Sequence, residues 1–237
     1  MSNEQLAMSK ADCVAIVSGG MDSVTLLHHL VKNEGRRPAV ITFIYGQKHH
    51  KEITLAQWHA EMLNCPDYVA LDLRGLRPLF AASALVNGDQ AIPDINEVQG
   101  DPQPATYVPN RNMIFLALAA AYAETHGVAD IFYGAQAHDM YGYWDTTPQF
   151  LESLNQVYRQ NRKTPVQIQA PFVNYTKTDV LRAGLKLGVD YGATWSCYEG
   201  GVAACGHCPT CAERLAAFAA VGLPDPIPYQ ASLKQLS

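Results

Sequence analysis

An α/β fold built on a doubly wound, mostly parallel sheet is what this sequence predicts, and three observations carry it. Apolar runs of strand length alternate with helical patterns along most of the chain, the order that puts helices on both faces of a parallel sheet. The first such run, Cys13-Val14-Ala15-Ile16-Val17, leads into Ser18-Gly19-Gly20-Met21-Asp22-Ser23 and then straight into a helical pattern. Near the other end, Cys197, Cys205, Cys208 and Cys211 form C-x7-C-x2-C-x2-C, which predicts a C-terminal metal-binding segment.

Taken in order, residues 1–11 read as a frayed start, 13–17 as a buried strand and 24–32 as a helix stopped at Asn33-Glu34-Gly35. Residues 39–45 are β-branched and aromatic, which predicts a second buried strand ended by Gly46. A helix to about Leu63 and a strand over 68–72 follow. Residues 87–108 are rich in Gly, Pro, Asp and Asn without periodicity, and a loop of that length is usually a lid or a binding loop. Pro109 and Asn110 open an apolar helix over 113–124. A strand over 130–134, a rim loop over 135–147, a helix over 148–159 and a strand over 166–170 come next. Thr176-Lys177-Thr178-Asp179 then starts a helix with capping-box spacing. One domain over 1–237 is expected, with the metal-binding segment, 194–220, inside it.

Strand, glycine turn and helix make a phosphate cradle. Glycine lets the backbone turn tightly and approach an anion, and the new helix aims free N–H groups and its positive dipole end at it. Ser18 and Ser23 add hydroxyls, whereas Asp22 repels a bare phosphate and instead suits a helix cap or a Mg²⁺ between phosphates. No Gly-Lys-Ser/Thr follows, and the third glycine of a dinucleotide fingerprint is absent.

In such sheets ligands bind at the carboxyl ends of the strands, so residues on that rim are the candidates for recognition. His49, beside Lys48 and His50, follows the second strand. Arg111 stands at a helix start and could make a second anion contact. Lys177, also at a helix start, could supply the ammonium that the glycine loop lacks. The 135–147 loop carries Asp139, Tyr143, Trp144 and Asp145; its aromatic and polar side chains suit a flat heterocycle, with Asp145 or Asp139 accepting from a guanine-like N–H edge. The plainer reading makes the aspartates local caps.

Four cysteines at this spacing suit one zinc ion in a closed, structural site, with an iron–sulfur cluster as the other four-thiolate option. Cys13 and Cys65 read as buried small hydrophobes. The first dozen residues have no apolar core and no run is long enough to span a membrane; six cysteines without a secretion signal then point to metal rather than disulfides and to the cytoplasm. A net charge of -5 gives no general attraction to nucleic acid and favours a small-molecule substrate.

Ser-Gly-Gly-x-Asp-Ser resembles the pyrophosphate loop (PP-loop) of the ATP pyrophosphatases, which have an adenine-nucleotide α-hydrolase-like fold. Joined to the cysteine pattern, to Tyr45-Gly46-Gln47-Lys48-His49, to 108–112, to the 139–145 loop and to Thr176-Lys177, it makes the chain resemble the QueC-type 7-cyano-7-deazaguanine synthases from about Asp12 to Phe218. That resemblance implies ATP-dependent conversion of 7-carboxy-7-deazaguanine and ammonia to 7-cyano-7-deazaguanine, a queuosine and archaeosine precursor, by a C–N ligase. It implies ATP with Mg²⁺ on Val17, Ser18, Gly19, Gly20, Met21, Asp22, Ser23, Val24, Thr25, Leu26 and Leu27. One Zn²⁺ per chain would sit on Cys197, Cys205, Cys208 and Cys211. Asp22, Lys177 and Arg111 would be catalytic, and Asp145, Asp139, Tyr143 and His49 substrate-binding. Neither membrane nor direct nucleic-acid contact is expected; a homodimer is left open. The family usually reads Gly-Tyr-Pro-Asp-Cys-Arg where this chain has Gly142-Tyr143-Trp144-Asp145-Thr146-Thr147. A paralogue that stops at the amide, or joins the deazaguanine carboxylate to an amine of a protein or other macromolecule, is therefore an alternative. A tRNA-thiolating PP-loop enzyme is a second, and a zinc module binding nucleic acid a third.

Overall fold

Strand β1 (Cys13–Ile16) is wholly apolar and central, and every other strand runs parallel to it. A computed structural model of the chain describes residues 10–48, 51–98, 100–101, 103–137 and 143–230. With β2 (Pro38–Ile44), β3 (Asp67–Asp72), β4 (Asp130–Phe132) and β5 (Gln167–Gln169), the sheet has the order β3-β2-β1-β4-β5. The order reverses between β1 and β4, and a crevice opens where their carboxyl ends part.

Side chains of β1 alternate across the sheet, as strand geometry requires. Val14 joins Ile41, Phe43 and Ile131 on one face, where helices α3 (Arg111–His126) and α4 (Pro148–Tyr158) pack through Phe115, Leu116, Phe150 and Leu154. Cys13, Ala15 and Val17 point the other way with Val40 and Phe132. That face is covered by α1 (Met21–His28), α2 (Lys51–Met62), α5 (Lys177–Lys186) and α6 (Pro209–Ala220). The doubly wound parallel sheet is the expected architecture. Cys13 is fully buried, as expected, and Cys65 only half-buried; burial pushes both thiols up to about 12.

Element ends follow local chemistry. The first helix starts at Met21 and passes into a π-helical turn, His29–Asn33, before Gly35 takes a positive φ of 65°. Thr176 and Asp179 form both halves of a capping box: Thr176 Oγ1 accepts from Asp179 N at 3.2 Å, and Asp179 Oδ2 from Thr176 N at 3.1 Å. Helix α3 has no side-chain cap from Asn110, which sits at φ 52°; instead Asp145, far along the chain, accepts from Asn112 N at 3.3 Å. Within the predicted 87–108 loop lies a single helical turn, Ile95–Val98.

Helices α1 and α2 are joined by two buried histidines. His59 Nε2 lies 2.9 Å from the Ala193 carbonyl, so it donates; His59 Nδ1 must then accept from His28 Nε2 at 3.1 Å. His28 Nδ1 is left buried without a partner. Burial first, then Lys32 and His59, lowers the His28 pKa from 6.5 to about 4. The unfolded chain therefore takes up this proton first. The stability that neutral His28 contributes is full above pH 6.5 and is lost as pH falls toward 4, at about 1.4 kcal/mol per pH unit. Denaturant titrations from pH 7 to 4.5 should show a shallower decline for His28→Gln than for the parent; equal slopes would reject this account.

Candidate active site and metal centre

The loop between β1 and α1 is closed by its own hydroxyls. Ser23 Oγ accepts from Ser18 N at 3.1 Å and donates to Gly20 O at 3.1 Å, and Ser18 Oγ lies 3.1 Å from Ser23 Oγ. Gly19 adopts φ 92°, and a Cβ there would stand 2.1 Å from the Glu52 carbonyl oxygen, so both conformation and space demand glycine. Gly19 O accepts from Trp195 N at 3.1 Å, and Lys51 Nζ lies 4.0 Å from the Trp195 ring centroid. A Cβ on Gly134, just past β4, would touch Ser23 at 3.2 Å. Neighbours on three sides thus hold the loop in shape before any ligand arrives.

Above it lies a cavity of about 720 Å³ at the crevice between β1 and β4. Asp22 and Lys177 meet on its wall. Asp22 Oδ2 accepts from Lys177 Nζ at 2.6 Å, while Asp22 Oδ1 is buried with no hydrogen-bond partner among the described residues. Lys177 is 5% exposed, and Glu213 Oε2 lies 4.0 Å from its ammonium. Such a half-satisfied buried carboxylate suits a cation. Arg111 faces the cavity among Tyr45, Tyr198, Tyr143 and Asp145. Burial works against its charge, but these groups more than offset that and raise its pKa.

Of the residues read as nucleotide-binding, Val17, Ser18, Gly20, Met21, Asp22 and Ser23 line the cavity. Val24, Leu26 and Leu27 pack in the core, and Thr25 Oγ1 is bonded to Met21 O and to Tyr191 Oη, each at 2.8 Å. Tyr143 and Thr146 line the cavity, with Tyr143 Oη 2.7 Å from Thr106 Oγ1. Trp144 Nε1 donates to Tyr107 Oη at 2.9 Å. These two bonds tie the 104–107 stretch to the loop where the family pattern changes. Asp145, next in sequence, is 2% exposed and not on the cavity surface. Burial raises its pKa, against the opposing pull of Arg111 and the Asn112 N–H. His49, His50, His138 and Asp139 lie outside the described residues. Glu52, Ser196, Tyr198, Thr210 and Glu213 also line the cavity. Glu52 reads in the sequence as an ordinary first-turn acid; the others flank the cysteines, and Cys197-Tyr198 was the available signal for them.

Cys197, Cys205, Cys208 and Cys211 are all buried, unpaired by disulfides, with their sulfurs within 4.8 Å of one another. Cys205 N and Cys208 N donate to the sulfurs of Cys197 and Cys205, each at 3.3 Å, the N–H···S bonds that steady thiolates. Trp195 Nε1 donates to Cys197 O at 3.2 Å. Four convergent sulfurs could hold a metal ion with no place left for water. The remaining cysteines stand apart from the cluster, and no helix among the described residues is long and apolar enough to cross a membrane.

Comparison with known proteins matches residues 12–222 to the family "Queuosine biosynthesis protein QueC". The chain is 43% identical over 217 residues to a 7-cyano-7-deazaguanine synthase of Caldicellulosiruptor saccharolyticus, covering 92% of this chain and 95% of that one. It is 42% identical over 216 residues to 7-cyano-7-deazaguanine synthase 2 of Colwellia psychrerythraea, covering 91% and 97%. Among solved structures, NMN synthetase from Francisella tularensis shares the fold, with a TM-score of 0.53 at 17% identity over 98% of this chain and 84% of that one. These relatives are synthases and the chain is an enzyme; it belongs to the queuosine biosynthesis protein QueC family.

Proposed function

We propose that this enzyme converts 7-carboxy-7-deazaguanine, ATP and ammonia to 7-cyano-7-deazaguanine in the cytoplasm. The observation that carries the reading is the pair at the cavity wall: Asp22 held by Lys177 at 2.6 Å, with its other oxygen buried and unpartnered beside the glycine loop. A carboxylate is a poor electrophile because oxide cannot leave. Its oxygen attacks the α-phosphorus of ATP, the bond to the β-phosphate bridge breaks, and pyrophosphate departs. Ammonia then adds to the acyl carbon and AMP leaves, giving the amide. A second adenylation, on the amide oxygen, followed by loss of AMP and the N–H protons, gives the nitrile.

Each residue has a part in this sequence. The N–H groups at the start of α1 and the Ser18 and Ser23 hydroxyls would bind the phosphates. Lys177 places its ammonium at the loop and holds the Asp22 carboxylate in position, and Arg111 offers a guanidinium to a carboxylate or phosphate. Mg²⁺ on Asp22 would neutralise the departing pyrophosphate. Tyr143, Tyr45 and Phe115 line the cavity with aromatic rings, a lining that suits a flat heterocycle. The four cysteines would bind one Zn²⁺ structurally.

The burial of Asp145 and its bond to Asn112 support a positioning role: the carboxylate holds Arg111 and the start of α3 beneath the substrate. Asp145→Asn is then expected to reduce use of the deazaguanine about a hundredfold while ATP binding survives. Arg111→Lys should reproduce the loss, and the double variant should be little worse than either. Full activity of a folded Asp145→Asn protein would remove Asp145 from the site.

Incubating the pure protein with ATP, 7-carboxy-7-deazaguanine and ammonia, and reading products by mass, tests the whole reading. Nitrile with AMP and pyrophosphate is expected. Accumulation of the amide would assign the Trp144, Thr146 and Thr147 loop to an enzyme that stops there; no AMP formation would overturn the reading.

A further inference from the structure

We propose that Glu199 and His207 form the port through which metal enters and leaves the four-cysteine site, with Cys205 as the ligand shared between port and site. The inference rests on the zinc reading above. The cluster is sealed: Cys197 and Cys208 are 0% exposed and Cys211 is 1%, while Cys205, at 7%, is its most accessible residue. A closed shell of this kind needs an entry path.

Among the described residues, outward-facing metal-ligating donors meet a buried cysteine of the cluster at Cys205. A carboxylate oxygen of Glu199, an imidazole nitrogen of His207 and the Cys205 sulfur all lie within 4.8 Å of one another. Glu199 Oε1 and His207 Nε2 stand 3.7 Å apart, and both side chains are exposed. Carboxylate, imidazole and thiolate are each acceptable to a borderline-soft divalent ion. An ion arriving hydrated exchanges water first for the exposed carboxylate and imidazole. It then bonds to Cys205 as that thiol gives up its proton. Cys197, Cys208 and Cys211 next displace the oxygen and nitrogen donors one at a time, losing their protons to solvent, and Cys205 never lets go. No step leaves the metal without protein ligands. The four thiolates hold the ion at the end, so Glu199 and His207 contribute to rate and not to final occupancy.

The test uses the metal-loaded protein and isotopically enriched zinc, read by mass. The path in is also the path out, so exchange of bound zinc reports the port without unfolding the chain. Glu199→Gln together with His207→Ala should slow exchange severalfold or more, because both donors that first meet the ion are gone. Zinc content at equilibrium and melting temperature should stay unchanged. Unchanged exchange in the double variant overturns the port. Reduced zinc content would make the two residues true ligands, which also overturns it. A parent protein that holds no zinc would defeat the zinc reading itself, a result distinct from either of these.

Discussion

Replacing Asp22 by alanine is expected to abolish pyrophosphate release while the protein stays folded. The carboxylate belongs to the glycine loop itself and is paired with Lys177, and its other oxygen is buried. Groups aimed at developing charge in a dry site contribute about a hundred- to a thousandfold each, and here the loss would combine a metal contact with the anchor for Lys177. Removing the partner of the buried Lys177 ammonium is itself destabilising, so the alanine variant alone could fail for want of stability. Asp22→Asn separates the two effects. Its amide oxygen can still accept from Lys177, but it carries no charge for a cation. Melting temperature near the parent's with turnover down at least about a hundredfold is expected. Near-normal pyrophosphate release by both variants would exclude Asp22 from the chemistry.

Cys208→Ser is expected to have the largest effect on folding. Cys208 is fully buried, its sulfur 3.5 Å from Thr210 Oγ1, and it stands just before the first residue of α6. Four-thiolate zinc in small domains binds with about 10–16 kcal/mol, which equals or exceeds the whole stability of a typical domain, about 5–15 kcal/mol. Losing one thiolate should therefore empty the site and unfold the stretch from Ser196 into α6, while the parallel sheet persists. Elemental analysis should give one zinc per parent chain and almost none in the variant, and limited proteolysis should cut first between 196 and 220. Iron in the parent protein would overturn the zinc assignment.

The strands, the glycine loop and the cysteine cluster were legible because each is written locally. Apolar runs, a glycine that must take positive φ, and closely spaced sulfurs need no knowledge of distant contacts. Sheet order and the wall of the cavity were less so. Nothing near Glu52 shows that its carbonyl will abut Gly19, and nothing near Asp145 shows that it will cap a helix beginning at Arg111. Val24, Thr25, Leu26 and Leu27 follow the loop in sequence, but α1 is buried on nearly every side past the loop, and these residues pack into the interior rather than onto the cavity. Lys177 was found through the capping box that starts its helix; its meeting with Asp22 comes from how α1 and α5 pack together.

The Trp195 main-chain N–H that holds the Gly19 carbonyl belongs to the same short segment as Cys197, whose carbonyl receives the Trp195 ring N–H. On the proposed reading the metal site and the nucleotide loop share this strut, and any coupling through it would be reciprocal, each ligand changing the other's affinity by the same factor. Stripping zinc should weaken ATP affinity, and saturating ATP should slow zinc loss to a chelator; affinities that ignore one another would show the strut to be slack. A cell short of zinc would then lose this enzyme's grip on ATP before it lost the enzyme.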